Sequence, residues 1–127
     1  MKLNEYQQKA MTTCLESSNN WSYMFLNLVG EVGEFASKVG KAIRKKQAMI
    51  GGDSIEGKNK LFLTEFPTMI DQEQELKKEA GDILWQLSGV CSVMGWSLED
   101  VAQMNLDKLS ARKAIGTIDG NGDGIVR

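Results

Sequence analysis

Glu31 and Glu34 stand three residues apart in the stretch GEVGEFASKVGK, and Glu79 and Asp82 repeat that spacing in ELKKEAGDILWQL. At about 100° per residue, such a separation puts both members of each pair on one face of a helix. Four carboxylates from two helices offer oxygen-only ligation, which suits a hard cation such as Mg2+, with Mn2+ as the alternative. The chain contains no histidine. The commonest zinc ligand and the commonest general base are therefore both missing, and zinc or di-iron chemistry is disfavoured. Glu79 also lies at the edge of the apolar arc set by Leu76, Ala80 and Ile83. A carboxylate at such a seam is costly unless it is paired or holds a cation.

Each signal has a plainer reading. Glu31, Glu34, Lys38, Lys41 and Lys45 form one charged stripe, in which Glu34 and Lys38 make a helix-stabilising pair four residues apart. Each glycine in GEVGEFASKVGK costs about 1 kcal/mol relative to alanine in a helix. Gly30, Gly33 and Gly81 either leave room for hydrated ions or let helices approach closely; the sequence supports both. A third group lies further on. Asn105 falls on the same face as Leu98, Ala102 and Leu109, with Lys108 and Arg112 three and seven residues beyond it. Two cations beside an amide suit a phosphate-bearing ligand with a hydrogen-bonded base. A lone Asn at such a position can also serve only to fix packing register.

Four helical segments must position these residues. The first is expected from about Asn4 to Ser17. The second follows the capping residues Asn19 and Asn20 and runs to about Lys46. Its apolar residues Trp21, Met24, Phe25, Leu28, Val32, Phe35, Val39 and Ile43 recur at helical spacing. The third begins near Asp71, carries Leu76, Ala80, Ile83, Leu87, Val90 and Met94, and ends at Gly95. Ser97 to Asp100 resembles a capping box that opens the fourth, which ends near Ala114. Between the second and third, residues 47–70 are long for a loop in a small domain and have room for a strand-like or a helical excursion. An antiparallel four-helix bundle is the natural packing. Residues 1–114 form the helical domain and 115–127 a glycine-rich tail.

With 127 residues, the chain has the length of one domain. Apolar residues make up 42% and charged residues 25%, as in ordinary soluble domains. A net charge of −2 argues against a nucleic-acid binder, which needs a basic surface. The N-terminal MKLNEYQQKAMTTC lacks a signal peptide's apolar core, and no apolar run approaches a membrane span. Cys14 and Cys91, far apart in helical patterns, read as two reduced thiols in a cytoplasmic protein. Two motifs mislead. GEFASKVGKA misses the phosphate-loop spacing, with Ala42 where Ser or Thr is required. DGNGDGIVR begins like a calcium loop but reaches Arg127 before the bidentate glutamate such a loop needs.

Taken in order, GEVGEFASKVGK, KKEAGDILWQL and NLDKLSAR resemble the MazG-like nucleoside triphosphate pyrophosphohydrolases of the all-α NTP pyrophosphatase superfamily. The likeness covers Trp21–Lys46 and Asp71–Arg112, with the ExxE and ExxD pair as its signature. The ending GTIDGNGDGIVR is similar to that of small single-domain, often phage-type, members. The resemblance implies an all-α, four-helix-bundle-like fold that forms a homodimer or homotetramer. It implies Mg2+ held by Glu31, Glu34, Glu79 and Asp82, with Glu31 or Glu34 orienting or deprotonating a water. The implied reaction cleaves a (d)NTP between its α- and β-phosphates to a (d)NMP and pyrophosphate, in nucleotide-pool housecleaning. Lys108 and Arg112, with Lys38, match phosphate-side cations, and Asn105 a polar position near the nucleotide. The chain departs from the family in residues 47–70, and has Gly30 where many members carry a second acidic residue before the first glutamate. Competing readings are a non-catalytic nucleotide-binding or oligomerising bundle and a related enzyme of the phosphoribosyl-ATP pyrophosphatase or dUTPase type.

Overall fold

The computed structural model describes residues 1–45, 48–51, 60–63 and 68–116. Among them are four α-helices: α1 (Leu3–Met11), α2 (Trp21–Arg44), α3 (Thr68–Val93) and α4 (Leu98–Ala114). The class is all-α, with one addition. Strands β1 (Ala48–Gly51) and β2 (Lys60–Leu63) pair antiparallel, Ala48 opposite Leu63 and Gly51 opposite Lys60. Of the two excursions the sequence left open between α2 and α3, these described residues take the strand-like one.

Local chemistry sets the helix ends. The first helix stops at Met11 rather than near Ser17. The hydroxyls of Thr12 and Thr13 donate to the carbonyls of Lys9 and Ala10 at 2.6 and 2.7 Å, taking acceptors from the last turn. Glu16–Ser18 then forms a separate 3-10 turn. Asn20 caps α2, its side-chain oxygen accepting from the Tyr23 amide at 2.8 Å. Lys41 and Arg44 place positive charge at the C-terminal end, where the helix dipole favours it, and the helix ends at Arg44, short of Lys46. The third helix starts at Thr68, before the expected cap at Asp71.

The turn between α3 and α4 is built on Gly95, whose φ of +74° favours glycine. Its amide donates to the Ser92 carbonyl at 3.1 Å, and the Trp96 amide to the Cys91 carbonyl at 2.7 Å. This pair of bonds closes the helix in a Schellman motif. Ser97 caps α4, accepting from the Asp100 amide at 3.2 Å. The first helix completes that cap: Asn4 Oδ1 accepts from the Ser97 hydroxyl and the Glu99 amide, and Gln7 Oε1 from the Leu98 amide.

The α2 and α3 helices pack antiparallel, since Asn27 meets Gln86 while Lys38 meets Glu79. At Gly89 a Cβ would collide with the thioether of the fully buried Met24. Among the described residues Val90, Cys91 and Leu98 are the other buried apolar side chains. Trp85 ties α1 to α3 by donating its indole N–H to the Ala10 carbonyl and the Thr13 hydroxyl. The long apolar stripe of α2 is only partly covered: Trp21, stacked on Phe25 at 4.5 Å between ring centroids, is 57% exposed, and Val32 is 48% exposed. No helix among the described residues is long and apolar enough to cross a membrane. Most of the tail, its calcium-loop resemblance and much of residues 47–70 lie outside the described residues.

Candidate metal centre

Two stripes of polar side chains face each other across the α2–α3 seam. On α2 the stripe is Asn27, Glu31, Glu34 and Lys38; on α3, read backwards, it is Gln86, Asp82, Glu79 and Glu75. Alternating steps of four and three keep each set on one helix face. An amide pair closes one end, Asn27 Nδ2 donating to Gln86 Oε1 at 2.9 Å. An ion pair closes the other, Lys38 Nζ lying 2.5 Å from Glu79 Oε1 and 3.7 Å from Glu75 Oε2. The carboxylates lie between.

Glu31, Glu34 and Glu79 each bring a carboxylate oxygen within 4.8 Å of the others. Glu79 is buried, only 7% exposed, and Glu31 is half-buried, whereas Glu34 is exposed. Asp82 is exposed and outside that group, but its charge acts on Glu31. Glu31 and Glu79 are engaged in the same asymmetric way. Glu31 Oε1 accepts from Asn27 Nδ2 at 3.3 Å, and Glu79 Oε1 from Lys38. The second oxygen of each, Oε2, is buried with no hydrogen-bond partner. Buried carboxylate oxygens without a donor are costly. A cation between them removes that cost, so this donor set fits a hard metal ion, and the cluster can hold one.

The electrostatics agree. Burial pushes the Glu31 carboxyl above the ordinary carboxylate range; the charges of Asp82, Glu34 and Glu79 push the same way, and the hydrogen bond from Asn27 pulls against them. Lys38 is held above the ordinary lysine range, first by its hydrogen bond to Glu79 and then by the charges of Glu79, Glu75 and Glu34, against some desolvation.

Two of the three α4 residues line a different space. Asn105 and Lys108 are exposed and line a cavity of about 1070 Å3 with Trp96, Asp100, Val101 and Met104; none of the four carboxylates contributes to it. Arg112 is half-buried. Asn105 is thus not a buried seam residue in the single chain, where α4 packs chiefly against α1. Nor are the glycines crowded. A Cβ on Gly33 or Gly81 would meet nothing within 4 Å, and one on Gly30 would meet only Asn27 Oδ1 at 3.5 Å.

Sequence reasoning missed Asn27, Gln86 and Glu75. Gln86 had a usable signal, since it interrupts the run of apolar positions Ile83, Leu87 and Val90 on α3 and is only 1% exposed. Asn27 stands four residues before Glu31, a spacing at which the two side chains can meet on one helix, whereas its bond to Gln86 depends on the register between two helices.

Comparison with known proteins covers the same ground. The model of the MazG nucleotide pyrophosphohydrolase domain matches residues 20–115. The Gene 37 protein of Mycobacterium phage L5 is 31% identical over 130 residues, a span of 97% of this chain and 98% of that protein. No solved structure matches significantly. With both facing stripes and the three α4 residues inside a match that takes in most of its length, the chain belongs to the MazG nucleotide pyrophosphohydrolase domain family.

Proposed function

We propose that this chain is a Mg2+-dependent nucleoside triphosphate pyrophosphohydrolase that converts a (d)NTP and water to a (d)NMP and pyrophosphate. The observation that carries the reading is the pair of buried, unpartnered Oε2 atoms of Glu31 and Glu79 within the three-glutamate group. Glu31, Glu34 and Glu79, with Asp82 beside them, are the residues that would hold the ion. When bound, Mg2+ would neutralise triphosphate charge and lower the pKa of a water. Glu34 differs from its neighbours in being open to solvent. It is the carboxylate we assign to the attacking water, orienting it and accepting its proton. The water oxygen bonds to the α-phosphorus as the bond to the bridging oxygen breaks, and pyrophosphate leaves in line. Lys108 and Arg112 are assigned to the phosphates and Asn105 to the base or sugar, while Lys38 is committed first to Glu79. Because Asn105 and Lys108 line a cavity apart from the carboxylates in the single chain, the assignment has them reach the nucleotide from a second copy.

A homodimer or homotetramer belongs to the same proposal. Leu26 and Val29 are 76% and 72% exposed on α2, and a second copy is the occupant that the family resemblance suggests for that face. We place the enzyme in the cytoplasm, where its substrates are.

The test is incubation with a panel of NTPs and dNTPs plus Mg2+ in 18O-labelled water, with products resolved by chromatography and mass. Label in the monophosphate, pyrophosphate as co-product and arrest by chelator are expected. Release of a diphosphate and orthophosphate would reject the reaction; label in pyrophosphate would reject attack at the α-phosphorus.

A further inference from the structure

We propose that Asn27 is a positioning residue for the metal carboxylate Glu31, and that Gln86 acts on the site through Asn27. The inference rests on the metal-dependent reading above and adds two residues to it. Asn27 stands one turn before Glu31 on α2, and its Nδ2 donates to Glu31 Oε1 at 3.3 Å. That bond occupies one oxygen of the carboxylate and fixes the rotamer that leaves Oε2 buried and without a donor. The donor is neutral. Unlike an ammonium, an amide can hold a carboxylate in place without repelling the cation that the carboxylate is to bind.

Asn27 is itself held in orientation. Its NH2 donates to Gln86 Oε1 at 2.9 Å and lies 3.3 Å from the Tyr23 hydroxyl. Gln86 is only 1% exposed and cannot turn its amide over at will. Its NH2 donates to the Met24 carbonyl and thioether, each at 3.3 Å. A flip would set NH2 against the Asn27 NH2 and one carbonyl against another. The backbone of Met24 therefore dictates which way Gln86 points, Gln86 dictates Asn27, and Asn27 dictates Glu31. A buried glutamine at the end of the polar stripe of α3 has this use.

Metal affinity tests the chain of dependence, with Mn2+ titrated by electron paramagnetic resonance and Mg2+ by calorimetry on the full chain. Loss of a hydrogen-bond partner behind a metal ligand costs roughly 10–100-fold in affinity. Asn27→Ala should weaken metal binding by about that factor while the helical circular dichroism is kept. Gln86→Met should weaken it too, and the double variant should be no worse than Asn27→Ala alone, because both remove the same support. Wild-type affinity in Asn27→Ala would overturn the inference, and so would additive losses in the double variant. Should Gln86→Met fail to fold, the Asn27→Ala result still decides the central claim. Glu34→Gln separates the two levels. If the wild type binds Mn2+ and Glu34→Gln does not, while Asn27→Ala binds normally, only the positioning role falls. If the wild type itself shows no saturable binding, the metal reading falls and takes this inference with it.

Discussion

At the level of single residues, the spacing of Glu31, Glu34, Glu79 and Asp82 was legible because helical periodicity alone puts each pair on one face. Lys38 was legible as a member of the charged stripe, but its strongest partner is Glu79 across the seam rather than Glu34 along the helix. Intrahelical spacing can be counted along a sequence; the alignment of two helices cannot. The raised pKa of Glu31 has a measurable consequence. A carboxyl whose folded pKa lies above its unfolded value costs stability when ionised. That cost is absent below the unfolded value and complete above the folded one. In chelator at about pH 8, Glu31→Gln should therefore raise the melting temperature. The gain should shrink as the pH falls towards the ordinary value of 4.5. With Mg2+ present the sign should reverse, because the variant loses a ligand that stabilises the folded state. A second test concerns Cys91, which is 1% exposed and whose thiol is pushed up by burial. It should resist a thiol reagent under native conditions and react only on unfolding, whereas the half-buried Cys14 should react sooner.

At the level of elements, caps and breakers marked most boundaries: Asn20, Gly95 and Ser97 do what their types suggest. The end of α1 was misjudged because two threonine hydroxyls compete for the last carbonyls, which periodicity does not register. The strands of the pair, four residues each, carry too short a pattern to be told from a helical excursion. The glycines divide into two kinds that one substitution each can tell apart. Gly89 is pressed against Met24, so Gly89→Ala must displace an enclosed thioether. Overpacking costs about 1–3 kcal/mol and the better helix former returns about 1, so a net loss of up to about 2 kcal/mol is expected in urea unfolding. Gly33→Ala, with open space around it in the chain, should instead gain about 1 kcal/mol. No gain there would mean that a neighbouring copy lies against that position.

At the scale of the molecule, the buried apolar set among the described residues, Met24, Val90, Cys91 and Leu98, is thin beside what stays uncovered on α2 and α4. Binary patterning identified the apolar stripes but not how many chains cover them. If self-association covers the outer face of α2, Leu26→Glu should shift the sedimenting species towards the 14.1 kDa monomer and lower its melting temperature. An unchanged mass would place the interface elsewhere. The facing stripes have a consequence for assembly as well as for chemistry. They run in mirror order, amide to amide at one end and ammonium to carboxylate at the other. An apolar seam tolerates sliding, since one leucine replaces another. Here a slip by one helical turn would carry Gln86 opposite Tyr23 or Glu31 and unmatch the ladder along its length. The two helices thus work like the scales of a vernier. On the metal reading proposed above, capture of a cation would report that α2 and α3 came together in the correct alignment.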